Sequence, residues 1–103
     1  MKYVRMTICE TFTDDNVTEL VTKMQDHVRK VPELIGHSIL AEEGGRMVIL
    51  TTDWNSREAC LQHHASRLNR QFVADTQNLL VGGYVVKLFQ NHTERRCHES
   101  RNT

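Results

Sequence analysis

Val17, Leu20, Val21, Met24, Val28 and Val31 recur at intervals of three and four residues, so a helix would carry all six on one side. A stripe of that length, about 17 residues, has to be buried, and its neighbours decide what it is buried against. Ahead of it lies KYVRMTICETF, short, alternating, and rich in β-branched and aromatic residues. Val4, Met6 and Ile8 point one way and Tyr3, Arg5 and Thr7 the other, which predicts a first strand. Thr13–Asn16 between the two is an N-cap neighbourhood, with acids where the helix dipole favours them. Pro32, the only proline, closes the helix. An amphipathic helix that follows a strand this closely is expected to pack on a sheet.

The rest of the chain supplies that sheet. Leu34–Ala41 and Arg46–Trp54 read as a hairpin around Glu42–Gly45, with Gly44-Gly45 giving the turn its positive φ. Asn55 as N-cap and Glu58 three residues on resemble a capping box, and Leu61, Ala65, Leu68 and Phe72 then share one helical face. A bend falls before Leu79-Leu80, Gly82-Gly83 stops the helix, and Tyr84–Gln90 is a last strand. The order βαββαβ predicts an α+β, ferredoxin-like fold: a four-stranded antiparallel sheet with two helices on one face. Residues 1–90 form this domain and 91–103 a polar tail without hydrophobic period. The strands are apolar on both sides, Met47 and Ile49 against Val48 and Leu50, Val85 against Val86, Leu88 against Phe89. A solvated second face would alternate more cleanly, so a homodimer with sheet against sheet is expected.

Thirteen Lys and Arg balance thirteen Asp and Glu, and the basic residues are scattered. That argues against nucleic acid and anionic lipid as partners. No apolar run approaches membrane-spanning length and the start lacks the pattern of a signal peptide. The three cysteines, Cys9, Cys60 and Cys97, are widely spaced and contain no CxxC pair. Reduced thiols in a cytoplasmic protein are expected, with neither a disulfide frame nor a metal site.

VPELIGHSIL, the hairpin, TTDWNSREACLQHHAS and the final strand together resemble the antibiotic biosynthesis monooxygenase family of dimeric α-β barrel proteins. Pro32 and Gly36 match the family's Pro-Gly-Phe-x-Gly lead-in to the second strand, with Glu33 and Leu34 replacing its first Gly and its Phe. Trp54 and Ser56 match its Trp-Glu-Ser, with Asn55 for the Glu. His63 falls where the first helical His sits and Ser66 at the Ser of Ser-Pro-His, whose other two positions are Arg67 and Leu68. The resemblance covers residues 2–90. It implies an oxygenase that needs no cofactor and acts on quinols or aromatic polyketides. The haem-degrading branch is not expected, because Thr7, His63 and Val73 stand where that branch has Asn, Trp and His.

His63 is the candidate catalytic base. At the flank of the apolar face it would look into a cleft between helix and sheet, where a neutral imidazole takes the proton of a phenolic hydroxyl. His64, with Leu61 and Leu68, falls on the apolar face as a half-buried histidine. Trp54 is the candidate aromatic wall of a substrate pocket; the simpler role is a core anchor whose indole N–H caps a carbonyl. His37, Tyr84 and Arg5 are candidate polar contacts to substrate; for Arg5 the simpler role is a salt bridge across strands or across the dimer. Cys60 and His64 have a metal-compatible spacing but lack a third ligand, and only Arg57 stands near Cys60 in sequence. Two functions follow: a cofactor-independent monooxygenase of a quinol or aromatic, polyketide-like small molecule, or a non-catalytic protein that binds or senses a small hydrophobic ligand. In a third reading Met24, Leu68 and Phe72 fill the space and no ligand binds.

Overall fold

The computed structural model describes residues 2–93. The expectations for the tail therefore lie almost wholly outside the described residues, with Cys97 and His98 among them. Four strands, β1 (Lys2–Glu10), β2 (Gly36–Ala41), β3 (Met47–Trp54) and β4 (Val85–Asn91), form one antiparallel sheet in the order β2-β3-β1-β4. Helices α1 (Asp14–Arg29), α2 (Arg57–His64) and α3 (Arg67–Thr76), with a 3-10 turn at Gln77–Leu79, cover one face. This is the expected ferredoxin-like α+β fold.

Helix α1 starts where the Thr13 hydroxyl accepts from the Asn16 N–H at 3.1 Å. It buries Leu20, Met24, His27 and Val28, and these meet Cys9, Val48, Leu50, Phe72, Leu79 and Leu80 in the main core. A smaller cluster of Val31, Trp54 and Cys60 closes the end of the sheet under α2. In the β2–β3 turn only Gly44 takes positive φ, 71°. Gly45 does not; a Cβ there would meet only the exposed Glu42 side chain, which can move aside.

The second helical region departs from expectation. Its N-cap is Ser56, whose hydroxyl accepts from the Ala59 N–H at 3.1 Å, rather than Asn55. The region is also two helices instead of one. At Ser66 the hydroxyl donates to the His63 carbonyl at 2.6 Å and accepts from the Asn69 N–H at 3.1 Å, ending α2 and capping α3 with one side chain. The break resets the helical phase. His63 and Cys60 are therefore buried while Leu61 and His64 are exposed, the reverse of the expected arrangement.

The faces of β1 are inverted relative to hydrophobicity. Arg5, Thr7 and Cys9 point at the helices and are buried; Val4, Met6 and Ile8 lie on the open face. Leu40, Met47, Val85 and Phe89 share that open face and are exposed, Leu40 at 53% and Phe89 at 45%.

Candidate functional site

The centre of the site is a buried cation. Arg5 enters from the middle of β1 and is only 5% exposed. Its guanidinium donates to the His63 Nδ1 at 2.7 Å and to the Cys60 carbonyl at 3.4 Å, and lies 5.2 Å from the Trp54 ring centroid. Among the described residues the ion pairs, Lys30–Asp26 and Arg46–Glu10, lie at the surface and do not involve it. A helix carbonyl, an imidazole nitrogen and an indole face thus replace a carboxylate as its partners. Burial lowers the Arg5 pKa, opposed by the neighbouring Cys60. Arginine still keeps its charge.

Beyond Arg5 the polar chain continues. The Nε2 atoms of His63 and His27 are 3.1 Å apart, joining α2 to α1. His27 packs on Phe72 with centroids 4.5 Å apart, and His63 lies 5.2 Å from Trp54. Burial first, and then the Arg5 charge, push both imidazoles down to a pKa of about 4, so both are neutral at pH 7.

An open pocket of about 430 Å³ lies against this chain, between the β1–β4 side of the sheet and the helices. Leu50, Phe72, Val73, Tyr84 and Val86 supply apolar walls; Arg5, His27, His64, Asn69 and Arg70 supply polar groups. Leu50 and Val86 enter it from the helix-covered face of the sheet, and Phe72 and Val73 from α3.

The expected site residues divide into those that reach this pocket and those that do not. Arg5, His64 and Tyr84 line it. Tyr84 stands just before β4, and its hydroxyl is taken by Thr76 at 2.6 Å; burial raises its pKa. His64 is at the exposed rim, not on the apolar face. His63 does not line the pocket and is linked to it through its hydrogen bonds with Arg5 and His27. Trp54 is fully buried behind His63, its indole N–H donating to the Thr52 hydroxyl at 2.9 Å rather than to a carbonyl. His37 is exposed on β2, the edge strand farthest from β4. Cys60, expected to have only Arg57 nearby, has the Arg5 guanidinium 4.0 Å from its sulfur, yet burial dominates and raises its pKa. Met24 and Phe72 pack in the core without filling the pocket.

His27 is the functional candidate that the hydrophobic pattern hid. It sits three residues after Met24 and seven after Leu20, on the buried stripe itself, and that spacing was the available signal. Asn69 and Arg70 joined the site through the break at Ser66, which sequence periodicity does not report. Among the described residues no group of three His, Cys, Asp or Glu side chains is placed to hold a metal ion. No helix among them is long and apolar enough to cross a membrane.

Fold and pocket define the class: a ferredoxin-like α+β domain with an open, largely apolar pocket between sheet and helices. Residues 2–75 match the profile of the antibiotic biosynthesis monooxygenase family, and the chain belongs to that family. No protein of curated function matches it. Among solved structures, Rv0793 from Mycobacterium tuberculosis superimposes with a TM-score of 0.76 at 15% identity, covering 92% of this chain and 99% of that one. The monooxygenase from the gene ActVA-Orf6 of Streptomyces coelicolor, in complex with the ligand nanaomycin D, gives 0.75 at 17% identity, covering 89% and 88%. SnoaB, a cofactor-independent oxygenase from Streptomyces nogalater, gives 0.74 at 10% identity, covering 91% and 96%. At these identities the likeness establishes the shared fold.

Proposed function

We propose that the chain is a cofactor-independent monooxygenase acting on an electron-rich phenol, quinol or polyketide-like aromatic. One observation carries this reading: an apolar pocket large enough for a ring system is set directly against a buried cation, which has no acidic partner among the described residues, and its imidazole chain. The chemistry asks little of a protein. An ionised phenol reduces oxygen by one electron, the radical pair combines at ring carbon, and the hydroperoxide collapses to a quinone and water. One oxygen atom stays on carbon and the other leaves as water. The site contributes by stabilising the substrate anion and by excluding bulk water from it. Family membership and the two oxygenases among the similar folds support the assignment.

In this reading His63 acts from behind His27, and Trp54 fixes the His63 ring. The functional unit is a homodimer formed through the open sheet face, whose Val4, Met6, Ile8, Leu40, Met47, Ile49, Val85 and Phe89 form one apolar surface. The buried free thiols Cys9 and Cys60 fit a reducing, cytoplasmic setting.

The test is oxygen uptake by the purified protein with a panel of quinols and polycyclic phenols, and with His63→Ala as control. Saturable uptake lost in the variant is the expected result. Uptake unchanged in the variant refutes the assignment of the site. No uptake above the uncatalysed rate, with a melting temperature raised by one of the compounds, makes the chain a binding protein instead.

A further inference from the structure

The hydrogen-bond chain under the pocket has a direction. Arginine has five N–H donors and no acceptor, so the His63 Nδ1 that Arg5 bonds at 2.7 Å must carry a lone pair. A neutral His63 then bears its proton on Nε2 and donates it to His27, whose Nε2 is 3.1 Å away. The His27 Nε2 is therefore an acceptor, and a neutral His27 carries its own proton on Nδ1. Among the described residues Nδ1 has no hydrogen-bond partner. Among the described residues no buried polar side-chain atom lacks a partner, so Nδ1 is open to solvent, and His27 lines both this pocket and a second one that includes Asp26 and Asp75. Arg5, on the strand before α1, thus decides that His27 presents an N–H and not a lone pair at its open edge.

The charges around the pocket agree with that polarity. Arg5 and Arg70 line it with His27, His64 and Asn69, and no carboxylate is in the lining. Among the described residues Arg5 itself is buried without an acidic partner. A buried cation of this kind is costly unless an anion completes it. In this geometry His27 cannot accept a proton at Nδ1, so it cannot serve as a base there.

We propose that the pocket binds the ionised form of an aromatic hydroxy compound, with its oxyanion held by the His27 Nδ1–H that Arg5, acting through His63, fixes as a donor. This deepens the oxygenase reading and rests on its choice of pocket, but not on oxygen chemistry. His27 is the group that touches the ligand. Arg5 is a positioning residue through His63, and its charge adds to the field.

Two measurements test it. The first reads the imidazole nitrogens by 15N NMR of the unliganded protein at pH 7.5. His63 should show a protonated Nε2 and a bare Nδ1, and His27 a protonated Nδ1 and a bare Nε2. Arg5→Met should abolish this fixed pattern and Arg5→Lys, which keeps a cationic donor, should retain it; a bare Nδ1 on His27 in the native protein overturns the proposal. The second uses 4-nitrophenol, whose phenolate is coloured, titrated with protein at pH 6. A site that favours the oxyanion should raise the phenolate-to-phenol ratio of the bound compound about tenfold over free solution, one unit of pKa. An apolar pocket without a donor would lower it. The rise should vanish in His27→Phe and survive in His27→Asn, which keeps an N–H. A lowered or unchanged ratio at saturating protein, or no binding, overturns the proposal. Phenolate enrichment without oxygen uptake leaves this inference standing and removes the oxygenase reading; uptake without enrichment does the reverse.

Discussion

Acid should destabilise this protein well before its carboxylates titrate, and the two buried imidazoles set the window. Burial and the Arg5 charge hold His27 and His63 at about 4 in the folded state, against 6.5 for a solvated histidine. Between those values the unfolded chain binds more protons than the folded one, so stability rises with pH. It is complete above about pH 6.5 and is lost as the pH falls towards 4. For one such group the loss at pH 5 is about 2 kcal/mol, from a roughly thirtyfold difference in protonation between the two states. The histidines share a hydrogen bond, so in the folded state a proton on one further opposes a proton on the other, and the combined loss is at least the sum of the two, about 4 kcal/mol. For a domain of this size that corresponds to a fall in melting temperature of about 10 °C or more. Urea unfolding followed by Trp54 fluorescence at pH 7.5 and pH 5.0 measures it. His27→Leu removes one of the two groups and should reduce the acid sensitivity by roughly half. A midpoint that does not move between the two pH values, or a variant as acid-sensitive as the native protein, would refute the reasoning.

Two further outcomes are expected from the packing. Trp54→Ala should cost about 3–5 kcal/mol in chemical denaturation, because it empties a fully buried site and removes the aromatic face under Arg5; Trp54→Phe should cost markedly less. On the open sheet face, Phe89→Glu should convert the dimer to a monomer in sedimentation equilibrium at micromolar concentration, with the fold retained by circular dichroism. A native protein that sediments as a monomer contradicts the dimer directly.

Much of the architecture was legible because local patterns and global fold agree. The stripe from Val17 to Val28, the Thr13 cap and the Gly44 turn each demand one structure, and βαββαβ leaves few ways to assemble them. The extra apolar face of the strands was legible for the same reason, since a period of two exposes both sides of a strand to inspection. Phase and partnership were not. One hydroxyl, that of Ser66, breaks a helix that apolar spacing would continue, and it exchanges the roles of His63 and His64. Arg5 read as a substrate contact or as one half of a salt bridge across a dimer; only the approach of α2 and Trp54 to β1 gives it the partners that let it stay buried. His27 looked like one polar lapse in an apolar stripe until α1 and α2 placed it 3.1 Å from His63. The sequence alone determined the four strands, the first helix, their order and the two-sided sheet, because those follow from periodicity along the chain. Tertiary structure alone decided the direction of the Arg5–His63–His27 chain, because it depends on contacts between residues 36 to 58 positions apart.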